Sequence, residues 1–235
     1  ISILLREKVK IVFTSAGNPK KYTSILKENG ITVVHVVANT KFALKAVEAG
    51  VDAIVAEGFE AGGHNGLEET TTMVLIPMLK KIVDIPLIAA GGIGSGEAML
   101  AAMALGADGV QIGSLFASSA ESSAHQNFQD AIITAGDGDT QLTLKQIVPV
   151  RLIKNEFFHR VQDLEKSGAK KEDLIQLLGK GRAKLGMFEG NISEGELEIG
   201  QVSSMIDSIE PVQSIMQNLV SEFNEASDRL NGLKL

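Results

Sequence analysis

The chain has 235 residues, of which 44% are hydrophobic and none is cysteine, and it carries a formal net charge of −7. That length can bury a sizeable core as one large domain or two small ones. The acidic balance argues against nucleic acid or an anionic membrane as a partner, no apolar run of about 18 residues suggests a spanning helix, and the missing thiols exclude disulfides, thiolate metal ligands and cysteine nucleophiles.

In chain order, VKIVFTS (Val9–Ser15) predicts a first strand, and Lys20–Asn29 predicts a helix closed by Gly30, a residue suited to the turn after a helix. ITVVHVV (Ile31–Val37) predicts the second strand, after which Asn39 and Thr40 offer a cap for a helix over KFALKAVEAG. DAIVAEG reads as a third strand and IPLIAAGG as a fourth, with a helix over TTTMVLIPMLKKIV between them, in which Pro77 marks an early kink or a first-turn start. EAMLAAMALGA then predicts a helix packed by small residues, and DGVQIGS a fifth strand. This β-α-β rhythm with near-continuous apolar strands is that of a parallel sheet buried on both faces.

Beyond about residue 120 the strand rhythm stops. ESSAHQNFQDAIITAG, RLIKNEFFHRVQDLEKSG and KEDLIQLLGKGRAK read as helices, and GMFEGNISEGELEIGQ as an ordered loop over the site. The segment from Val202 to Leu230 predicts amphipathic helices interrupted near Pro211.

Two architectures suit the first half, a doubly wound sheet and a (β/α)8 barrel. The dinucleotide fingerprint Gly-x-Gly-x-x-Gly fails, because Gly92 and Gly94 are followed by Glu97, and Gly94 and Gly96 by Met99. Glycine clusters instead end successive strands, as expected of a barrel that carries its site on the carboxyl face. The expected fold class is therefore α/β: a (β/α)8 TIM barrel lacking its first strands in this chain, with a C-terminal helical annex. Residues 1–120 would hold strands 4–8 of that barrel, and residues 121–235 the annex.

Gly91, Gly92 and Gly113 would let backbone amides approach a phosphate without an intervening Cβ, and Ser114 adds a hydroxyl. The alternative is a set of tight strand–helix turns with no ligand. His64, in the loop after the third strand, has the side chain best suited to proton transfer or carbonyl orientation near neutral pH. A loop histidine bonded to a nearby carbonyl is the plainer reading. Glu57 and Glu60 flank that loop, either to orient His64 or as solvated charge. His35 reads as a packed strand residue, and His125 and His159 as helix-surface groups. Lys180, Arg182 and Lys184 read as a solvated helix end or as an attractant for a dinucleotide or an acidic carrier protein. No two histidines stand three or four residues apart, so no metal site is expected.

Four stretches, TSAGNPKKY, AEGFEAGGHNG, IPLIAAGGIGSGEAMLAAMALGADGVQIGSLF and EIGQVSSMI, resemble the FMN-dependent enoyl-acyl-carrier-protein reductase II and nitronate monooxygenase (2-nitropropane dioxygenase) family. The resemblance covers nearly the whole chain, most specifically residues 9–120. It implies an FMN-bearing barrel with His64 as the catalytic histidine. The cofactor positions fall on Gly62, Gly63, Ala90, Gly91, Gly92, Gln111, Gly113 and Ser114. The family's usual opening strand, PIxQGGM, has no counterpart here, in line with a barrel short of its first strands. A further likeness to inosine-monophosphate dehydrogenase fails, because that enzyme needs a cysteine nucleophile.

The resemblance implies a cytoplasmic flavin oxidoreductase that uses NADH or NADPH to reduce trans-2-enoyl thioesters in fatty-acid elongation. Its partner would be a small-molecule substrate or an acyl carrier protein thioester, with no nucleic acid or membrane, and a homodimer remains open. The alternatives are a nitronate monooxygenase that oxidises alkyl nitronates with oxygen, and an inactive phosphate-ligand-binding barrel fragment. The TSAGNP, EAGGHNG and GQVSSMI stretches lean toward the reductases, as does Val36 where the monooxygenases often carry lysine.

Overall fold

Runs of β-branched residues become strands in this chain, and a side chain placed just after several of them starts the following helix. Asn39 is the clearest instance: it sits extended after a strand, and its side-chain oxygen accepts from the Phe42 amide at 2.8 Å. The structure is a computed structural model that describes residues 1–232. Its strands in chain order are β1 (Ile11–Thr14), β2 (Thr32–Val37), β3 (Ala53–Glu57), β4 (Gly63–His64), β5 (Leu87–Ala90), β6 (Gly109–Gln111), β7 (Thr140–Thr143) and β8 (Val150–Ile153). The α-helices are α1 (Ser2–Arg6), α2 (Thr23–Glu28), α3 (Thr40–Glu48), α4 (Thr72–Lys80), α5 (Gly96–Ala104), α6 (Ser114–Ala117), α7 (Gln126–Ile133), α8 (Glu156–Lys166), α9 (Lys171–Leu178), α10 (Arg182–Met187) and α11 (Val212–Asn231).

The chain divides into two compact units. The first holds Ile1–Phe59, Glu68–Ala90 and Ala101–Gln111. Its sheet is all parallel, in the order β1-β2-β3-β5-β6. Each strand thus pairs with the next one of this sheet in sequence. A doubly wound sheet would reverse its order at a switch point, so this succession is that of a barrel wall. The expected α/β barrel class holds. One sheet face buries Val34, Ala53, Val55 and Ala90. Helix α4 seals Leu75, Ile76 and Leu79 from solvent, each such side chain contributing about 1.5–3 kcal/mol of burial. Asp52 and Asp108 repeat one arrangement, each fastening the start of a strand. Asp52 accepts from the Val33 amide at 2.8 Å, and Asp108 from the Leu87 amide at 2.9 Å. Each carboxylate also pairs with a lysine, Lys27 and Lys80 respectively.

The second unit holds Glu60–Leu67, Gly91–Leu100 and the described residues from Ile112 onward. Helices α7, α8, α9 and α11 lie in stretches expected to be helical, but Gln201–Met205 forms a 3-10 turn and the chain from there to Pro211 is not helical, which corrects the expected amphipathic helix before Pro211. An antiparallel sheet, in the order β4-β8-β7, accompanies the helices. This corrects the expectation that strands end near residue 120. It also corrects the reading of Arg151–Ile153 as helix. Pro149 precedes the strand, all four residues of β8 are buried, and the Asn155 side chain caps α8 by accepting from the Phe158 amide at 2.9 Å. Pro77 lies inside α4, past its first turn. Pro211 is the cap residue of α11, which explains the interruption seen there. Two buried clusters hold the unit together, one around Phe157, Phe158 and Leu152, the other around Phe128, Ile132 and Ile199.

Candidate active site

At the carboxyl edge of the first unit's sheet, Glu57 is in register with Ala90, and Ala90 with Gln111. Residues in register on parallel strands project to the same side. Ala90 and Gln111, both expected at a cofactor, are therefore neighbours in one row, with Glu57 beside them. Burial pushes the Glu57 carboxyl up to about 7, so it is poised between its charged and uncharged forms near neutrality.

In the second unit, the loop that carries His64 is fastened by its own polar groups. The Asn65 side chain donates to the carbonyls of Ala61 at 2.9 Å and Gly63 at 3.2 Å, and the Asn65 amide donates to Pro149 at 2.9 Å. His64 itself lies in β4 rather than in plain loop, opposite Val150 on β8, and its ring is exposed. Just beyond this pairing, Glu198 continues along the same strand by bridging to Leu152, and the Ile153 amide donates to Leu197 at 2.9 Å. The Glu198 carboxylate consequently packs against Gly63, where a β-carbon would lie 2.7 Å from its Oε2. Gly63 has φ +75°, open to glycine at little cost. Burial raises the Glu198 pKa, and the charge of His64 opposes that rise.

The strap from Glu198 to Gln201 also ties the site together. The Gln201 amide donates to the Glu60 carbonyl at 2.9 Å, and the Gly200 amide donates to the Ser114 hydroxyl at 3.0 Å. A β-carbon on Gly200 would meet the Glu60 carbonyl and Ser114 Oγ, each at 2.9 Å. One on Gly62 would collide with the main chain of Ile199 and Gly200. The space beside Gly62 is thus filled by the strap's own backbone. Gly91 and Gly92 take successive positive φ values of 86° and 70°, and Gly92 faces the Glu60 side chain. At Gly113 a β-carbon would meet nothing within 4 Å.

Within this unit the strap therefore draws together the Gly62–His64 loop, Glu60, whose side chain faces Gly92, and Ser114. Sequence reasoning missed Glu196 and Glu198, whose alternation in EGELEIGQ reads locally as loop charge. Glu196 is 8% exposed, and its carboxyl is pushed up to about 7, first by burial and then by Glu198, with Arg182 opposing. Arg182 serves the fold: its guanidinium donates to the carbonyls of Leu177, Leu178 and Glu194 and stacks on Phe157 at 4.3 Å. His35 is buried and bonds the Thr14 hydroxyl at 2.7 Å, His125 caps α7 through Nδ1, and His159 is exposed.

Comparison with known proteins places this arrangement among the flavin-dependent oxidoreductases. Residues 1–222 match the family described as Nitronate monooxygenase. A probable nitronate monooxygenase from Staphylococcus saprophyticus is 31% identical over 97% of the chain, which spans 67% of that protein. The structure of FabK from Thermotoga maritima is 39% identical with a TM-score of 0.92, over 98% of this chain and 73% of that one. Nitroalkane oxidase from Streptomyces ansochromogenes is 27% identical with a TM-score of 0.79, over 97% of this chain and 68% of that one. The chain belongs to the nitronate monooxygenase family, whose members are FMN-dependent oxidoreductases. It spans about two thirds of the length of the curated relatives it matches. Among the described residues no helix is long and apolar enough to cross a membrane.

Proposed function

We propose that this chain carries the flavin and substrate machinery of an NAD(P)H-dependent enoyl-thioester reductase. The observation that carries this reading is the likeness to FabK, an enoyl-acyl-carrier-protein reductase II, at 39% identity and a TM-score of 0.92. The residues present fit FMN. Gly91, Gly92, Gly113 and Ser114 would hold its phosphate: two positive-φ glycines clear side chains from the turn, the space at Gly113 is open, and Ser114 accepts from Gly200 while keeping its own proton to donate. The family resemblance also assigns Gly62, Gly63, Ala90 and Gln111 to the cofactor, but at Gly62 and Gly63 the space a β-carbon would take is filled by the strap backbone and the Glu198 carboxylate, so packing already explains these two glycines.

Bound FMN supplies the hydride-transfer chemistry. His64 orients the thioester carbonyl or manages the proton at its α-carbon, and β8 and Asn65 hold its backbone in place. Glu198, packed on Gly63, interacts electrostatically with the imidazole. NADH or NADPH as reductant, an acyl carrier protein as the thioester's carrier, a cytoplasmic setting and a homodimer belong to the same proposal. Oxidation of NADH or NADPH that depends on a crotonyl thioester tests it; flavin-loaded protein showing no such turnover would end it.

The family match and the Staphylococcus relative favour a second reading, nitronate oxidation with oxygen. Oxygen uptake with propyl nitronate and no reduced nicotinamide is its signature.

A further inference from the structure

We propose that a cavity of about 200 Å³ beside His64 receives the unbranched alkyl chain of the substrate, with His64 and Glu196 at its polar end. This rests on the functional reading above and deepens it by assigning a chain-length pocket. The cavity lies wholly within the second unit. Leu144, Val148, Val150 and Leu178 supply aliphatic walls. Leu144 and Val150 belong to a buried cluster and are 1% and 3% exposed, while Val148 is 44% exposed. Leu144 is held at φ +57°, a conformation a leucine keeps only where surrounding packing compensates.

The chemistry of the lining selects a neutral chain. Arg182 borders the cavity, but its guanidinium is committed to the Leu177, Leu178 and Glu194 carbonyls, which leaves it poorly placed to hold an anionic ligand. Glu196 adds a carboxyl, which also disfavours anions. Gly179 and Gly181 border open space in the α9–α10 linker, since a β-carbon at either would meet nothing within 4 Å. At the ~30 Å³ that a water molecule takes in the liquid, the volume holds about seven groups of methylene size. A chain of that length could belong to a thioester or to a nitro compound, and the test separates the two.

Calorimetric titration of the FMN-loaded chain with saturated butanoyl, hexanoyl and decanoyl N-acetylcysteamine thioesters, and with 1-nitrohexane, reads the pocket directly. Affinity should rise from butanoyl to hexanoyl and gain little at decanoyl. Val148→Trp should weaken hexanoyl binding about tenfold, the effect of losing about two buried methylenes, with FMN affinity unchanged. Val148→Ala should retain hexanoyl binding and admit decanoyl better. Binding of 1-nitrohexane alone, blocked by Val148→Trp, keeps the pocket and assigns it to nitro compounds. Chain binding blocked by Val148→Trp in protein that takes up no FMN keeps the pocket and ends the flavin reading. A folded, FMN-bound Val148→Trp protein with unchanged chain-length preference overturns the pocket while leaving the flavin reading standing.

Discussion

The Gly200 amide donates to the Ser114 hydroxyl at 3.0 Å, so the side chain assigned to the phosphate end of the site also anchors the strap that packs on the His64 loop. Ser114→Ala removes both roles at once. We expect FMN affinity, read by flavin fluorescence titration, to fall about tenfold, and stability to fall by about 1 kcal/mol for the lost hydrogen bond. Ser114→Thr, which keeps the hydroxyl, should recover most of the affinity.

Gly62 meets the strap backbone rather than open space, so a methyl group there forces main chain apart. Gly62→Ala should cost about 1–3 kcal/mol, the range for overpacking a close contact, measured as a shift in the urea midpoint with little change in slope. Gly113→Ala, with open space at its β-carbon, should leave the midpoint nearly unmoved and instead lower FMN affinity.

Glu196 gives the stability a pH dependence of known sign. Burial and Glu198 raise its carboxyl to about 7 from 4.5, against the pull of Arg182. Between those values the folded chain holds a proton that the unfolded chain has released. Its contribution is therefore fully present below about 4.5 and lost as the pH rises through about 7. Glu196→Gln cannot charge. Relative to the parent it should gain on the order of 1–2 kcal/mol at pH 8, allowing for solvent screening, and little at pH 5. Equal midpoint differences at the two pH values would sink this account of Glu196.

The glycine-rich strand ends and the β-α-β succession were legible in the sequence because turns and strand periodicity are local signals. Asn39 announced its helix in the same way. Val150–Ile153 was not legible as a strand: its apolar residues run straight into the true helix, and only Pro149 before it and the Asn155 cap after it mark the boundary. Glu196 and Glu198 lie in a stretch that reads only as an ordered loop, because Glu198 bridges to Leu152 on β8, more than forty residues away in the chain, and the Glu196 amide donates to the carbonyl of Arg182. Arg182 looked like surface charge because its acceptors are carbonyls of the preceding helix end and of Glu194, and neither is marked by residue type.

His64→Ala should separate binding from chemistry. The protein should stay yellow with FMN, while kcat falls by about 10²–10⁴, the usual contribution of a positioned proton-transfer group. Turnover equal to that of the parent would reduce His64 to a residue of the β4–β8 pairing.

The most direct measurement of the central claim is the visible spectrum of the FMN-loaded protein under anaerobic conditions, first with NADH or NADPH and then with crotonyl thioester. The account predicts that the flavin band bleaches with the nicotinamide and returns when the thioester is added. A band that ignores both nicotinamides but bleaches with an alkyl nitronate would contradict it.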